Sequence, residues 1–240
     1  MKPKISVIIP AYNEEKYLWT ALDSVKNQTY DPHFLELIVI DNASTDRTAK
    51  VFYDFIGTNE LKFKSFLTEE KILGVSRAKN RGALLATGDV LIFLDADSEM
   101  SSNLAEVVAQ SYLRGYRMGI IRLVPKSQEW LPRYFFRLIE FGKRTFRIAA
   151  QMGYCERTLF LEEGGFNPAL KLSEDLELFT RIKKRLWREN QDFIYIREAF
   201  IRTSTRRMDS FPCGSGYFLI FFQWFLSFLG LGRERYRPYR

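Results

Sequence analysis

The 240-residue sequence has few of the side chains that form disulfides or zinc sites. It contains two cysteines, Cys155 and Cys213, and one histidine, His33. The cysteines form no C-x-x-C pair and no metal-ligand spacing, so we expect neither a disulfide scaffold nor a zinc centre. We also expect a reduced, cytosolic-facing location. The chain begins Met-Lys-Pro-Lys and runs directly into an apolar segment, from which we expect no signal peptide.

Long apolar runs are also scarce. The longest spans residues 217–231 and is broken only by Gln223, Ser227 and Gly230. A helix of about 15 residues is roughly 22 Å long, which is shorter than the roughly 30 Å hydrocarbon core of a bilayer. We therefore expect residues 211–240 to form a membrane-associated tail with an interfacial helix. The alternative is a core or homodimer helix, because a helix that is apolar on all sides must be buried somewhere.

Basic residues support the membrane interpretation of this tail. The arginines that flank the run are Arg206, Arg207, Arg233, Arg235, Arg237 and Arg240. Cations on both flanks suit anionic headgroups on one side of a membrane. The whole chain carries a net charge of +7, which favours anionic partners such as nucleotide phosphates, anionic lipids or nucleic acid. No aromatic and basic single-strand platform is apparent, so we do not expect nucleic acid as the partner.

One apolar segment ends in paired carboxylates. Residues 90–94 read VLIFL and are followed by Asp95-Ala96-Asp97-Ser98. A continuous apolar run predicts a strand buried on both faces, and ligands bind at the carboxyl ends of such strands in open α/β sheets. Because alternate residues of an extended segment point the same way, Asp95 and Asp97 can both contact one bound ion. Their oxygens suit Mg²⁺ or Mn²⁺ shared with substrate phosphates. The alternative is a strand that ends in a polar turn.

Strand and helix patterns alternate through the first half of the chain. Strands are predicted at residues 5–9, 35–40, 63–67, 90–94 and 118–124. Asn13 is a candidate cap for a helix that extends to about Gln28. The pattern predicts an α/β fold with a mixed, mainly parallel sheet and helices on both faces. An amphipathic helix is expected within residues 130–150; it can cover the domain or lie on a membrane, and we favour the first. Ser173 is predicted to cap a further helix.

Seven segments together resemble family 2 glycosyltransferases of the GT-A fold. They are PAYNEE (10–15), DNASTD (41–46), GVSRAKNRGALLATGD (74–89), FLDADS (93–98), ERTLFLEEGGFN (156–167), SEDLEL (173–178) and TSTRR (203–207). Each is weak alone, but their order and spacing are specific. The resemblance covers about residues 4–207. It implies a domain at 1–210, with a nucleotide-binding half at 1–100 and an acceptor-binding half at 101–210.

The resemblance implies inverting transfer of a sugar from a nucleotide-diphospho-sugar, UDP- or GDP-linked, with Mg²⁺ or Mn²⁺. The acceptor would be a glycan, a small molecule or a lipid-linked molecule. The setting would be cell-envelope polysaccharide synthesis, peripheral on the inner face of the plasma membrane.

Individual residues take roles from the same resemblance. The base and ribose would be held by Pro10, Ala11, Tyr12, Glu14 and Asp41. The diphosphate would be held by Arg77, Lys79, Arg206 and Arg207, although many family members carry arginine where Lys79 stands. The alternative for Arg77 and Lys79 is a solvated helix face. Asp95 and Ala96 would contact ribose or metal-bound water, and Asp97, with Asp95, would bind the metal. Gly164 and Gly165 would serve backbone geometry.

The candidate base for inversion is Asp175. A carboxylate near a helix N-terminus is favoured in its ionised form, which suits a base at neutral pH. Glu174 would bind acceptor hydroxyls, and the alternative for both is simple first-turn helix charge. If the acceptor is a lipid phosphate it arrives ionised, and Asp175 would orient it without removing a proton.

Other function classes remain as alternatives. A nucleotidyltransferase also pairs a nucleotide with a carboxylate at a strand end, but Glu174-Asp175 and the TSTRR segment favour sugar transfer. A nucleotide-sugar-binding or scaffolding protein of the same fold would be favoured if the carboxylates were replaced, and they are intact.

Overall fold

The computed structural model describes residues 1–151, 153–170, 172–211 and 215–228. The strands in chain order are β1 (Ile5–Ala11), β2 (Leu35–Asp41), β3 (Lys64–Glu69), β4 (Val90–Phe93), β5 (Glu99–Met100), β6 (Met118–Pro125), β7 (Gly153–Glu156) and β8 (Ile194–Thr203). The helices are α1 (Leu18–Lys26), α2 (Thr48–Thr58), α3 (Val75–Leu85), α4 (Leu104–Leu113), α5 (Trp130–Thr145), α6 (Arg157–Glu162), α7 (Glu174–Arg188), α8 (Arg206–Asp209) and α9 (Ser215–Phe228). All five predicted strands are present.

The strands form one eight-stranded sheet in the order β3-β2-β1-β4-β7-β6-β8-β5. The first four strands in this order are mutually parallel. Strand β7 is antiparallel to both of its neighbours, and β8 runs parallel to β6 and antiparallel to β5. The predicted mixed, mainly parallel sheet is therefore confirmed.

Helices cover both faces of the sheet because side chains alternate along its strands. Ile9 on one face of β1 belongs to a core cluster with residues of α1, α2 and α4. Ile8 on the other face belongs to a second cluster with residues of α3, α6 and α7. The predicted arrangement of helices on both faces is confirmed. Phe135 and Phe136 attach α5 to the first cluster, so this helix covers the domain with one of its sides.

The prediction that Asn13 caps the first helix is wrong. Helix α1 begins at Leu18, and Asn13 has a left-handed φ of 54°. The Asn13 side-chain oxygen accepts a hydrogen bond from Thr45 N at 2.8 Å, and Glu14 N donates to Thr48 Oγ1 at 2.8 Å. These groups are satisfied by residues that follow β2, so residues 12–16 form the connection from β1 to α1, and the first helical bonds are accepted by Glu14 O from Tyr17 N and Leu18 N.

The cap predicted at Ser173 is confirmed in position but not in chemistry. Ser173 precedes α7 with a left-handed φ of 59°, and its side chain makes no capping hydrogen bond. Glu174 and Asp175, in the first turn, supply the negative charge that complements the helix dipole.

The C-terminal apolar run is helical from Ser215 to Phe228. Leu231, Cys213 and the arginines Arg233, Arg235, Arg237 and Arg240 lie outside the described residues. Within the ranges that the structure describes, no helix combines the length and the apolar character that crossing a membrane requires. The division into halves at residues 1–100 and 101–210 stays a prediction.

Candidate active site

The carboxyl ends of three neighbouring strands bring the predicted nucleotide and metal residues together. Ala11 at the end of β1 pairs with Asp41 at the end of β2, and Ile8 of β1 pairs with Phe93 at the end of β4. Pro10 and Tyr12 flank Ala11 on this edge, and the buried Ala96 lies between the two aspartates that follow β4. Parallel strands therefore place residues from three separate segments along one edge of the sheet.

A cavity lies at the outer part of this edge, beside β2 and β3. Its volume is about 340 Å³. Its lining residues are Asp41, Ala43, Ser44, Glu69, Glu70 and Lys71. Asp41 Oδ1 accepts a hydrogen bond from Ser44 N at 3.0 Å, which orients the carboxylate at the strand end. The lining is mostly polar, as a site for a hydrogen-bonding group requires.

Arg206, at the start of α8, connects two strand ends. Its Nε lies 3.2 Å from Asp97 Oδ2, and its Nη2 donates to Glu14 Oε1. The guanidinium lies over the Tyr17 ring, 4.6 Å from its centroid. Glu14 Oε2 is buried and has no hydrogen-bond partner among the described residues. Burial raises the pKa of Glu14, although Arg206 acts in the opposite direction. This orphaned oxygen can accept a hydrogen bond from a bound hydroxyl.

A buried ion pair joins the other side of the site. Lys79 Nζ lies 2.9 Å from Glu174 Oε1, and Lys79 is only 8% exposed. Burial alone would lower the pKa of Lys79, but the carboxylates of Glu174, Asp95 and Asp175 outweigh it and raise that pKa. Burial alone would likewise raise the pKa of Glu174, and Lys79 reverses this and lowers it. Lys79 therefore belongs to the interior of the site and not to a solvated helix face.

Asp175 has an environment that suits proton transfer. Burial, with a second contribution from Glu174, raises the pKa of Asp175 to about 6. Its Oδ1 accepts a hydrogen bond from Leu176 N at 2.8 Å. The helix N-terminus was expected to lower the pKa of Asp175, but burial and the like charge of Glu174 outweigh the helix dipole and raise it. A pKa near 6 still leaves most Asp175 side chains ionised at neutral pH. Burial also raises the pKa of Asp95, against the opposing charge of Lys79.

A loop before α7 supports the Lys79 ion pair. Asn80 Nδ2 donates to Phe166 O, and Phe166 N donates to Asn80 Oδ1, both at 2.8 Å. The Phe166 ring lies 5.1 Å from Lys79 Nζ. Gly164 and Gly165 have left-handed φ values of 76° and 69°, so their predicted role in backbone geometry is confirmed. Sequence reasoning did not single out Asn80, Phe166 or Tyr17, although all three lie in or next to the quoted motifs.

The two remaining predicted cations are exposed. The charge of Arg207 lowers the pKa values of both Glu14 and Glu174, which means that it acts on both sides of the site. Arg77 lies in the first turn of α3, two residues from Lys79, and its side chain makes no hydrogen bond or ion pair with another described residue. Residues two apart on a helix point in different directions, so the structure does not bring Arg77 into the Lys79 cluster.

The carboxylates fit a cation that shares its ligands with a substrate. Among the described ranges, no three His, Cys, Asp or Glu side chains lie close enough together to hold a metal ion. Mg²⁺ is commonly bound through one or two carboxylates, with phosphate oxygens and waters completing the shell. Asp97 and Asp95 at the end of β4 meet that requirement, and the charge of Asp97 contributes to the raised pKa of Asp95.

The chain is similar in sequence and in fold to known proteins. The sequence model described as "Glycosyl transferase family 2" matches residues 6–161. A GalNAc(5)-diNAcBac-PP-undecaprenol beta-1,3-glucosyltransferase of Campylobacter jejuni is 34% identical over 114 residues, which cover 48% of this chain and 36% of that protein. The chain spans between 14% and 46% of the length of four curated relatives that it matches.

Two solved structures share the fold. Residues 1–349 of S. aureus TarS in complex with UDP have a TM-score of 0.68 and 21% identity, and the match covers 84% of this chain and 60% of that TarS fragment. The mannosyltransferase PcManGT of Pyrobaculum calidifontis, in complex with GDP-Man and Mn²⁺, has a TM-score of 0.65 and 24% identity, over 82% of this chain and 55% of PcManGT. The predicted GT-A fold is confirmed. Since the family model spans more than half of the sequence, the chain belongs to glycosyl transferase family 2.

Proposed function

We propose that the protein transfers a sugar from a nucleotide-diphospho-sugar to an acceptor, with inversion and with a divalent cation. The observation that carries the proposal is that two sets of charged side chains meet at one edge of the sheet. Asp97 and Glu14 lie on one side with Arg206, and the Lys79–Glu174 pair lies on the other beside Asp175. Asp95 lies between them, because the charges of both Lys79 and Asp97 act on its pKa. Family membership supports the reaction class.

The donor half of the proposal uses the strand ends. Asp41 would accept hydrogen bonds from the base, beside the cavity that it lines. Pro10, Ala11 and Tyr12 would hold the base and ribose, and the unpartnered Glu14 Oε2 would accept a hydrogen bond from a ribose hydroxyl. TarS binds UDP, and PcManGT binds GDP-Man, which supports a donor of the UDP or GDP class.

The diphosphate would lie between α8 and α3, which both carry arginines. Arg206 and Arg207 at α8 would neutralise its charge, with Arg77 approaching from α3. Arginine suits this role because its planar fork can make paired hydrogen bonds to phosphate oxygens. Mg²⁺ or Mn²⁺, held by Asp97 with Asp95 and Ala96 beside it, would supply Lewis-acid stabilisation of the leaving diphosphate. The Mn²⁺ in the PcManGT complex supports this cofactor class.

The acceptor half of the proposal uses the start of α7. Asp175 would take the proton of an acceptor hydroxyl as its oxygen forms a bond to the anomeric carbon. The bond from that carbon to the diphosphate breaks on the opposite face, so the configuration inverts. Glu174 would orient the acceptor. Lys79 would hold Glu174 in place, and this positioning role replaces the diphosphate contact that the resemblance implied.

We further propose that the reaction takes place on a membrane surface with a lipid-linked acceptor. The Campylobacter jejuni relative has an undecaprenol-linked diphosphate in its name, which supports an acceptor of that class. A peripheral position on the inner face of the plasma membrane, with the tail at residues 211–240 as a contact, would follow from this acceptor.

A thermal-shift series with UDP, GDP, CDP and dTDP, each with and without Mn²⁺, tests donor binding. A nucleotide at about one hundred times its Kd stabilises by about 2.7 kcal/mol, which raises the Tm by roughly 5–10 °C for a chain of this size. We expect one of the four nucleotides to raise the Tm by this amount in the presence of Mn²⁺. The Asp97→Asn variant should lose the part of that Tm shift that depends on Mn²⁺. The control Asp54→Asn, an exposed acid on α2, should keep it. The absence of any shift would contradict the proposed donor.

Turnover separates an enzyme from a binding protein. Asp175→Asn should retain the nucleotide shift and lose sugar transfer, because it removes a proton acceptor and leaves the strand-end contacts intact. Full activity in Asp175→Asn would contradict the assignment of the base.

A further inference from the structure

Helix α5 has an exposed apolar stripe. Trp130, Tyr134, Leu138 and Phe141 are 76%, 62%, 51% and 65% exposed. At about 100° per residue their spacing places them within an arc of about 80° on one side of the helix. Isolated apolar side chains on a surface are ordinary, but a contiguous stripe of large ones marks an interaction surface.

Three arginines line one edge of the stripe. Arg133, Arg137 and Arg144 are exposed and follow the same helical spacing. Within the part of the chain that the structure describes, none of their side chains makes a hydrogen bond or an ion pair. The acid of this helix, Glu140, is turned inward, where it pairs with Lys143 and accepts a hydrogen bond from Tyr195. The exposed side of the helix itself therefore carries a charge of about +3 and no acid, and the nearest exposed acid is Glu129, which precedes the first residue of the helix.

The buried side of α5 fixes which side faces outward. Phe135 and Phe136 belong to the core. Lys143 Nζ donates to Gln151 Oε1 at 2.8 Å and lies 5.7 Å from the Tyr195 ring centroid. The helix is thus anchored to β8, and rotation to hide the stripe would break these contacts. The sequence favoured a helix that covers the domain, and the structure shows that only one side of the helix does so.

We propose that this exposed side of α5 is a docking surface for an anionic lipid bilayer. Tryptophan and tyrosine are enriched at the membrane–water interface, and arginine is attracted to anionic headgroups. An apolar stripe beside an edge of three arginines is the pattern of a helix that lies in the plane of a membrane. Charge complementarity selects an anionic surface as the occupant over a second copy, because two such faces would bring six arginines together.

The adjoining helix extends the surface. The Tyr217 ring of α9 packs on Phe135 of α5, with centroids 5.3 Å apart. Phe218, Phe221 and Phe222 of α9 are also exposed. Lys143, on the buried side of the last turns of α5, is near enough to Asp175 for that carboxylate to raise its pKa against the effect of burial. Docking through α5 would place the domain at the surface that carries a lipid-linked acceptor. The inference rests on the membrane part of the proposed function and names the element responsible.

Vesicle co-sedimentation of the full chain tests the inference. The probes are vesicles of phosphatidylcholine alone and of phosphatidylcholine mixed with phosphatidylglycerol. One variant combines Arg133→Gln, Arg137→Gln and Arg144→Gln, and another combines Trp130→Ser with Phe141→Ser. At about fivefold per arginine, the charge variant should bind the anionic vesicles roughly one hundredfold more weakly and with a smaller salt dependence. The apolar variant should lose binding at all salt concentrations.

Matched changes on α7 and β8 provide controls. Lys184→Gln, Arg188→Gln and Arg197→Gln remove three exposed charges, and Trp187→Ser removes an exposed aromatic. Both controls should bind vesicles as the original chain does. Equal binding by the α5 variants and the controls would overturn the inference. So would light scattering that shows a dimer which only the α5 variants dissociate. Nucleotide shifts measured without vesicles report separately on the proposed function.

Discussion

Replacement of Lys79 by methionine isolates the buried ion pair of the candidate site. The side chains of Lys79 and Glu174 are 9% and 13% exposed, so methionine leaves a carboxylate buried without its cation. The least costly response of the folded protein is to bind a proton at Glu174. The ordinary pKa of this carboxyl is 4.5. Protonation at about pH 7 therefore costs about 3.4 kcal/mol at 1.36 kcal/mol per pH unit. This value is close to the usual cost of breaking a buried pair, about 3–5 kcal/mol.

The same reasoning gives the pH dependence. At about pH 5.5 the protonation cost falls to about 1.4 kcal/mol, so the difference between Lys79→Met and the original chain should shrink as the pH falls. The sign follows because the variant's folded state binds a proton that its unfolded state has released. Urea denaturation at the two pH values measures this difference in the free energy of unfolding. At about pH 7 the Tm should fall by roughly 7–14 °C.

Two variants make the test specific. Lys50→Met removes the cation of an exposed pair with Asp54 and should cost less than about 0.5 kcal/mol. Glu174→Leu combined with Lys79→Met removes both charges and should recover most of the stability. A loss below about 1 kcal/mol at neutral pH, or one that does not change with pH, would refute the burial argument.

Two further predictions concern the base and the loop before α7. Because burial and Glu174 raise the pKa of Asp175 to about 6, the rate of sugar transfer should fall as the pH decreases through that value; a pH–rate profile at saturating donor that stays flat down to about pH 5 would contradict the base role. Gly165→Ala should destabilise the fold by about 1–3 kcal/mol in urea denaturation, because its φ is +69° and a Cβ would lie 2.6 Å from Asn80 Oδ1. Gly57→Ala, with open space around it, is the control, and an equal effect of both would refute the steric argument.

The strands and the sheet edge were predictable because their signal is local. The apolar runs at residues 5–9, 35–40 and 90–94 are buried on both faces in the structure, and such burial leaves its mark on consecutive residues. A parallel arrangement then places their carboxyl ends together whatever the details of packing. The motifs that follow these strands were enough to identify the family.

Local patterns failed where a side chain's partner lies far along the chain. Asn13 has the sequence context of a helix cap, yet its oxygen bonds to Thr45, which the neighbouring strand brings within reach. Helix α5 was predicted as amphipathic, but periodicity does not report which side a neighbouring helix or strand will cover. Its four exposed apolar side chains became apparent only from packing.

The sequence by itself determined the fold class, the family and the edge of the sheet that carries the site, since these depend on burial patterns and motifs within short segments. Only the tertiary structure decided the electrostatics. Lys79 and Glu174 are 95 residues apart, and Glu14 and Arg206 are 192 apart. Whether such charges pair, and how far burial shifts the pKa of Asp175, depends on distances and solvent access that exist only after the chain has packed.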